Sequence, residues 1–415
     1  NISMAEIVAT QVIQDFAIIM VVASAMALVS YKLKQPLVIG YIVAGMIIGP
    51  YTPPFSFILH PEILNLLAEI GIVLLLFVVG LEYPIAKLRS VGRKAVVIAF
   101  AEAFGTLGLG FAVGQLMGMT LYDSLFIALS ISVTSTVVLS RVLNEFGIAK
   151  TDVSSLILGV TVIEDIIVVS ILAVLQSVAS TGGPAIGDIV ISVGLVLAFI
   201  GGALFIGSKT IPKFVDHVSK TNHIDALLVA ILGVAFGLSF IANQLGISVA
   251  AGAFFAGVLV AESKSQVSAR VLTSPIKDMF AALFFVSVGA LMDVSKLPLF
   301  IIPALIFIGT SFASKFVTVY LSAKSQGLSK KTSIQTAFGS SASGGELALV
   351  VAKGGADVGA TSGFVLPMIG TMTIITSFLS PYVIKFGWKI GDRYRNGIAE
   401  QSEETEKKEE DDDDK

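Results

Sequence analysis

A succession of apolar segments, 14 to 27 residues long, runs from about residue 5 to about residue 388 and dominates this sequence. A helix of about twenty residues bridges the ~30 Å hydrocarbon layer of a bilayer. Inside lipid a chain must satisfy its own N–H and C=O groups, which leaves helices or closed barrels. Hydropathy over stretches of this length reads as membrane-crossing helices. Composition agrees: 55% hydrophobic residues, 14% charged residues and a mean hydropathy of +0.90 lie far from the soluble average of about 25% charged. The chain reads as an all-α polytopic membrane protein. Its 39 glycines suit close helix packing, and its short connections leave no room for a soluble domain of ordinary size. There is no cysteine, which excludes thiol chemistry, disulfides and Cys-ligated metals. His60, His217 and His223 fall in expected loops or helix ends and make no metal site.

Gly/Pro turns and Lys/Arg clusters divide the hydropathy into thirteen segments, at about 5–31, 36–49, 62–81, 93–118, 121–144, 152–178, 185–208, 223–242, 246–262, 276–292, 298–322, 331–352 and 362–388. Thirteen crossings with the N-terminus outside and the C-terminus cytoplasmic collect almost every basic residue of residues 1–395 on one side. Only Lys296 and Lys353 then fall in outer connections, and Lys315 lies within a segment. Residues 396–415 are acidic and low in complexity and are expected to be disordered. Their closing Asp411–Lys415 run has the form of a protease-tag remnant and is left out of the functional reading.

An internal repeat is visible at an offset of seven segments. Gly40-Tyr-Ile-Val-Ala-Gly45 in segment 2 matches Gly252-Ala-Phe-Phe-Ala-Gly257 in segment 9, and Leu76–Gly80 in segment 3 matches Phe284–Gly289 in segment 10. An odd offset sets the two copies in opposite orientation, segments 1–6 against 8–13, with segment 7 as linker. Inverted repeats of this kind belong to secondary transporters that alternate access around a midplane site. The glycine matches alone are also compatible with chance packing motifs.

The chemistry concentrates at four places. Glu164 and Asp165 sit side by side halfway along segment 6, where one ionised carboxylate costs about 2.5–3.5 kcal/mol on insertion scales. Neighbours on a helix point about 100° apart, so one partner cannot shield both. An ion or proton pathway is the default reading, a structural polar pair the bland one. Segment 5 holds Ser130-Ile-Ser-Val-Thr-Ser-Thr136, and its repeat mate, segment 12, holds Gly339-Ser-Ser-Ala-Ser-Gly-Gly345 followed by Glu346. Such runs either allow close packing through small residues or mark two broken helices crossing near the midplane, around Thr134, Ser135 and Thr136 and around Ser343, Gly344 and Gly345. Lys315 in segment 11 either snorkels to the cytoplasmic interface or pairs with an acid, Glu164 being the better partner because Asp165 must load and unload. Glu346 is either a helix cap or an ion ligand. Glu69 and Glu102 line a funnel or brace helices, and Asp123 and Asp188 are ordinary helix-start acids.

Taken together, Thr134-Ser-Thr136, Leu143-Asn-Glu-Phe-Gly147, Glu164-Asp165, Phe285-Val-Ser-Val-Gly289, Lys315 and Gly344-Gly-Glu-Leu-Ala348 resemble the monovalent cation:proton antiporters, in the branch of bacterial and archaeal sodium/proton antiporters and Kef-type potassium efflux systems. The likeness covers nearly the whole chain. It implies a sodium/proton antiporter fold in residues 1–395, with segments 1–3 and 8–10 as dimerisation scaffold, segments 4–6 and 11–13 as ion-translocating core, segment 7 as linker, and elevator-like movement in a homodimer of a prokaryotic plasma membrane. It makes Asp165 the ion-binding aspartate, Glu164 the variable position before it, Lys315 the lysine of electrogenic members, and Thr134 and Ser135 the unwound segment. Where that branch has Asp-Asp, Asn-Asp or Gln-Asp, this chain has Glu-Asp.

The expectation is Na+/H+ antiport without a cofactor, H+ and Na+ competing for Asp165, which ligates the metal ion Na+ with oxygens of segments 5 and 6. The process is electrogenic if Glu164 exchanges its proton with Lys315. A potassium/proton antiporter differs only in ligand size and number; the lack of a nucleotide-binding domain after segment 13 favours sodium. A sodium-coupled solute symporter calls for a roomier polar cavity. Hydrolytic enzymes are disfavoured because no His-Glu-X-X-His and no catalytic aspartates on separate helices are present.

Overall fold

The computed structural model describes residues 4–33, 35–52, 57, 61–82, 92–180, 186–221, 223–341 and 345–413. Its regular elements among these residues are all helical: α1 (Met4–Lys32), α2 (Leu37–Ile48), α3 (Pro61–Leu81), α4 (Arg93–Leu116), α5 (Leu121–Ser132), α6 (Thr136–Glu145), α7 (Asp152–Ser180), α8 (Ile186–Gly202), α9 (Ser208–Ser219), α10 (Ile224–Gln244), α11 (Val249–Val260), α12 (Gln266–Ala290), α13 (Leu297–Ser325), α14 (Lys330–Ser340), α15 (Glu346–Asp357) and α16 (Val365–Asp413). A π-turn, Ala203–Gly207, joins α8 to α9.

Among the described residues eight helices are long and apolar enough to cross a bilayer on their own. Of the other five expected segments, four fall on shorter pieces. Segments 2 and 9 are the 12-residue helices α2 and α11, which at 1.5 Å per residue fall well short of a ~30 Å layer. Segment 3 is α3. Segments 5 and 12 are each split, into α5 and α6 and into α14 and α15. The splits follow from composition: α5 ends in Ser130-Ile-Ser132, and α14 runs into Gly339-Ser-Ser341. Hydroxyl side chains there offer the backbone alternatives to helical bonding, and Gly345 lies fully extended just before α15 (φ −178°, ψ −173°).

Packing sorts the helices into two groups. In one, α3 lies against α11 and α12, α2 against α1 and α12, and α10 against α11. In the other, α4 lies against α5, α7 and α13, α14 against α13 and α16, and α15 against α5 and α16. The first group is held by glycines at which backbones touch. A β-carbon on Gly257 of α11 would overlap the Phe77 carbonyl of α3, and one on Gly80 of α3 the Phe254 carbonyl of α11. The same reciprocal pair recurs between α2 and α12, where Gly45 faces the Val286 carbonyl and Gly289 that of Ile42. Under the sequence repeat, Gly45 and Ile42 correspond to Gly257 and Phe254, and Gly80 and Phe77 to Gly289 and Val286. The two contacts thus fall on matching positions of the sequence.

Three local readings change. Lys353, expected in an outer connection, is 2% exposed, because α15 continues to Asp357 and gives it an ion-pair partner one turn on. The acidic tail, expected without regular structure, continues α16 to Asp413; Glu, Lys and Gln are good helix formers. Asp123 is more than a first-turn acid: it accepts bonds from the Ser362 N–H and hydroxyl, both at 2.7 Å, and so ties the start of α5 to the loop before α16.

Substitution Gly257→Ala is expected to lower the melting temperature of the purified protein, with a cost of about 1–3 kcal/mol for overpacking. In Gly233→Ala on α10 a new β-carbon meets nothing within 4 Å, so the melting temperature is expected to hold or rise slightly. Equal melting temperatures for parent and Gly257→Ala in a fluorescence-detected thermal ramp would contradict the close contact.

Candidate ion site at the crossing of two broken helices

Between α5 and α6 the chain runs extended through Val133 (φ −71°, ψ 133°) and Ser135 (φ −73°, ψ 101°). Ser135 Oγ then accepts from Val138 N at 3.3 Å and starts α6. The other break passes directly alongside. A β-carbon on Gly345 would stand 2.9 Å from Ser135 Cβ, so only glycine allows the two chains this approach. The Thr134 hydroxyl lies 3.0 Å from the Ser340 carbonyl at the end of α14 and stitches the two breaks together. The expected positions Ser343 and Gly344 lie outside the described residues.

Glu164 and Asp165 part company here, as their helical offset requires. Glu164, fully buried, turns into the helix group around α4: its Oε1 is 3.4 Å from Lys315 Nζ and its Oε2 3.0 Å from the Thr134 hydroxyl. The expected Lys315–Glu164 pair is thus present, and Lys315 is also fully buried rather than snorkelling. Its ammonium donates to Thr134 Oγ1 at 2.7 Å. A third charged side chain joins them: Glu102 of α4, also fully buried, with Oε1 3.4 Å from Lys315 Nζ and 3.3 Å from the Thr134 hydroxyl. Sequence reasoning left Glu102 as a funnel or brace residue. The signal available was its place midway along an apolar helix, the same cost that singled out Glu164. What the sequence lacked was any sign that α4, α7 and α13 bring their charges to one point.

Asp165, 5% exposed, faces the other way. It lines a cavity of about 310 Å³ with Thr134, Ser135, Thr136, Gly345 and the half-buried Glu346. Glu82 and Arg270, paired at 3.1 Å, line the same cavity. Buried Thr136 Oγ1 has no hydrogen-bond partner among the described residues, so a hydroxyl oxygen is available in the wall that holds Asp165. Oxygen donors of this kind suit a hard monovalent cation. Thr134, by contrast, has its hydroxyl committed to Lys315, the acids and Ser340.

A second cavity, of about 450 Å³, is lined by Glu69, Gln176, Asn243 and Asp357. Helices α3, α7 and α15 border both cavities at different levels: Leu76, Asp165 and Leu347 face the first, and Ile72, Leu172 and Val350 the second. Along α7 the step from Asp165 to Leu172 is about 10 Å, and Val168, Val169 and Leu172 within it are fully buried. An apolar layer therefore separates the cavities.

Residues 17–389 match the model of the family described as sodium/hydrogen exchanger, transmembrane. YbaL of Escherichia coli (strain K12) is 32% identical over 311 residues, 72% of this chain and 55% of that protein. The high-affinity Na+/H+ antiporter NhaS3 of Synechocystis sp. is 29% identical over 357 residues, 84% of this chain and 76% of that protein. The solved structure of the sodium proton antiporter MjNhaP1 from Methanocaldococcus jannaschii at pH 8 superimposes with a TM-score of 0.69 over 92% of this chain and 99% of that one, at 17% identity. That likeness fixes the fold, an all-α antiporter architecture.

Removing Lys315 leaves two buried acids facing each other with no cation. Lys315→Met is expected to cost about 3–5 kcal/mol of stability, the range for breaking a buried ion pair from one side, and Glu164→Gln clearly less, because Gln keeps an acceptor for Lys315. Melting temperatures in one detergent check the order; a Lys315→Met protein as stable as the parent would rule out a charged cluster.

Proposed function

The chain belongs to the sodium/hydrogen exchanger family of transmembrane proteins, and from that premise we propose that it is a secondary active sodium/proton antiporter in which Na+ and H+ compete for Asp165. The observation that carries this reading is the position of Asp165: at the crossing of two broken helices, open to one cavity and closed off from a second by an apolar layer. One carboxylate cannot hold a proton and a sodium ion at once, and that competition is the coupling. Na+ is the transported substrate and needs oxygens only: the Asp165 carboxylate, the Thr136 hydroxyl, and backbone carbonyls freed where α5 stops. The empty, ionised site is the state that should not cross, because carrying a charged carboxylate without its cation past an apolar layer is heavily penalised.

Thirteen crossings and an inverted repeat complete the reading. The reciprocal glycine contacts α3–α11 and α2–α12 support the repeat, since sequence mates make the same contact in exchanged roles. They also support treating α1–α3 and α10–α12 as a stiff scaffold, against which α4–α7 and α13–α16 move as the core, with α8 as linker. The two cavities lie where these groups meet, so sliding the core by about the height of the apolar layer would carry Asp165 from one cavity to the other. The distribution of basic residues supports the N-terminus outside, the C-terminus in the cytoplasm and the Asp165 cavity facing inward in this conformation. The location is the plasma membrane of a prokaryote, and the assembly a homodimer through the scaffold.

In proteoliposomes carrying a pH-sensitive dye, an imposed Na+ gradient is expected to drive proton movement in the parent protein and none above background in Asp165→Asn; robust exchange in that variant refutes the assignment. K+ in place of Na+ tests the choice of cation. At clamped potentials Glu164→Gln is expected to retain exchange with altered voltage dependence, since each net charge couples to voltage by about 2.3 kcal/mol per 100 mV; an unchanged dependence removes Glu164 from the charge-carrying step.

A further inference from the structure

Lys315 is held twice. Its ammonium stands 3.4 Å from a carboxyl oxygen of Glu164 on α7 and 3.4 Å from one of Glu102 on α4. A lysine has three protons to give and a threonine hydroxyl one. Here the three lysine protons face Thr134, Glu164 and Glu102, while the single Thr134 proton faces three acceptors: Glu102 Oε1 (3.3 Å), Glu164 Oε2 (3.0 Å) and the Ser340 carbonyl (3.0 Å). Glu102 and Glu164 therefore divide one ammonium and compete for one hydroxyl. Glu102 Oε2 has no other partner among the described residues, so the attachment of Glu102 is to Lys315 and Thr134 alone. We propose that Glu102 is a positioning residue for transport: it holds the Lys315 ammonium away from full engagement with Glu164, and thereby sets the charge that a cation meets at Asp165 on the next residue of the same helix.

The inference rests on Asp165 as the cation site. If Glu102 shares the ammonium, replacing it with Gln removes one negative group and concentrates Lys315 on Glu164, so the surroundings of Asp165 become more positive and Na+ binds less well. Replacing Lys315 with Met works in the opposite sense. A residue that only braces helices would alter the amount of folded protein and leave the apparent KM for Na+ untouched, because KM does not depend on how much active protein is present.

The test is the apparent KM for Na+ in reconstituted parent, Glu102→Gln, Glu102→Asp and Lys315→Met, at one fixed alkaline pH at which protons no longer compete for Asp165, with Asp165→Asn in parallel. Glu102→Gln is expected to raise KM on the order of ten-fold, the effect of one unit charge removed at about 10 Å with an effective dielectric of about 20. Glu102→Asp, which keeps the charge at a longer reach, is expected to give a KM between those of the parent and Glu102→Gln, and Lys315→Met, where it accumulates, to lower it. An unchanged KM in Glu102→Gln, with Asp165→Asn inactive, overturns the positioning role and spares the cation site. Exchange by Asp165→Asn overturns the cation site itself. Should Glu102→Gln not accumulate, a KM in Glu102→Asp displaced upward supports the proposal, and one equal to the parent's counts against it.

Discussion

Everything in the core of this protein is arranged around a lysine that has no route to water. Lys315 is fully buried, and so are the two acids that face it. Such a group is tolerable only while all its partners stay in reach, because the desolvation of each ion costs several kcal/mol and geometry alone offsets it. The partners come from α4, from the break between α5 and α6, and from α7, while the lysine itself comes from α13. None of these helices can shift against the others without uncovering a charge. The cluster thus welds elements from both halves of the chain into one body, and it does so at the height where two helices are broken and helical hydrogen bonding cannot do that work.

The other group of helices achieves stiffness by the opposite means. Where α3 meets α11 and α2 meets α12, glycines remove the side-chain layer and backbone lies on backbone. In lipid, association has no hydrophobic drive to lean on, so close van der Waals contact is what remains. One body is locked by charge and the other by contact, and both cavities lie along the seam between them. Leu76, Leu172, Leu347 and Val350 give that seam apolar contacts. The proposed sliding is helped by such apolar contacts, since bodies joined by hydrogen bonds across the seam would have to break them on every cycle.

How much of this could be read from the residues depended on whether the signal was local. Apolar length, the hydroxyl-rich interruptions at Ser130–Thr136 and Gly339–Gly345, and the improbable Glu164–Asp165 pair are properties of short windows, and each corresponds to a feature of the structure. The Gly-x₄-Gly repeats were legible as a match, but not as reciprocal contacts, because which backbone a glycine approaches is decided by tertiary packing. Glu102 escaped for the same reason. In its own window it is one acid in an apolar helix, no different in kind from Glu69, which the structure leaves exposed in the far cavity. Only the convergence of α4, α7 and α13 separates the two. Lys353 was misplaced by a boundary: ending the segment at residue 352 put it outside, whereas α15 runs one more turn and buries it beside Asp357.

The adjacency of Glu164 and Asp165 now has a physical account. Two side chains about 100° apart on one helix can serve two compartments that must never mix, the locked interior and the open seam. Glu164 reaches inward, and its extra methylene relative to aspartate gives it the length to meet a lysine shared with Glu102. Asp165, shorter, stays at the wall of the cavity, where a passing ion can find it. Moving the cation to the inward position would make its release break the cluster that holds the core together. Moving the lysine contact to the outward position would fill the site permanently. In the proposed cycle, division of one dipeptide between a fixed charge and an exchangeable one would let the core carry an ion across an apolar layer while remaining a single body.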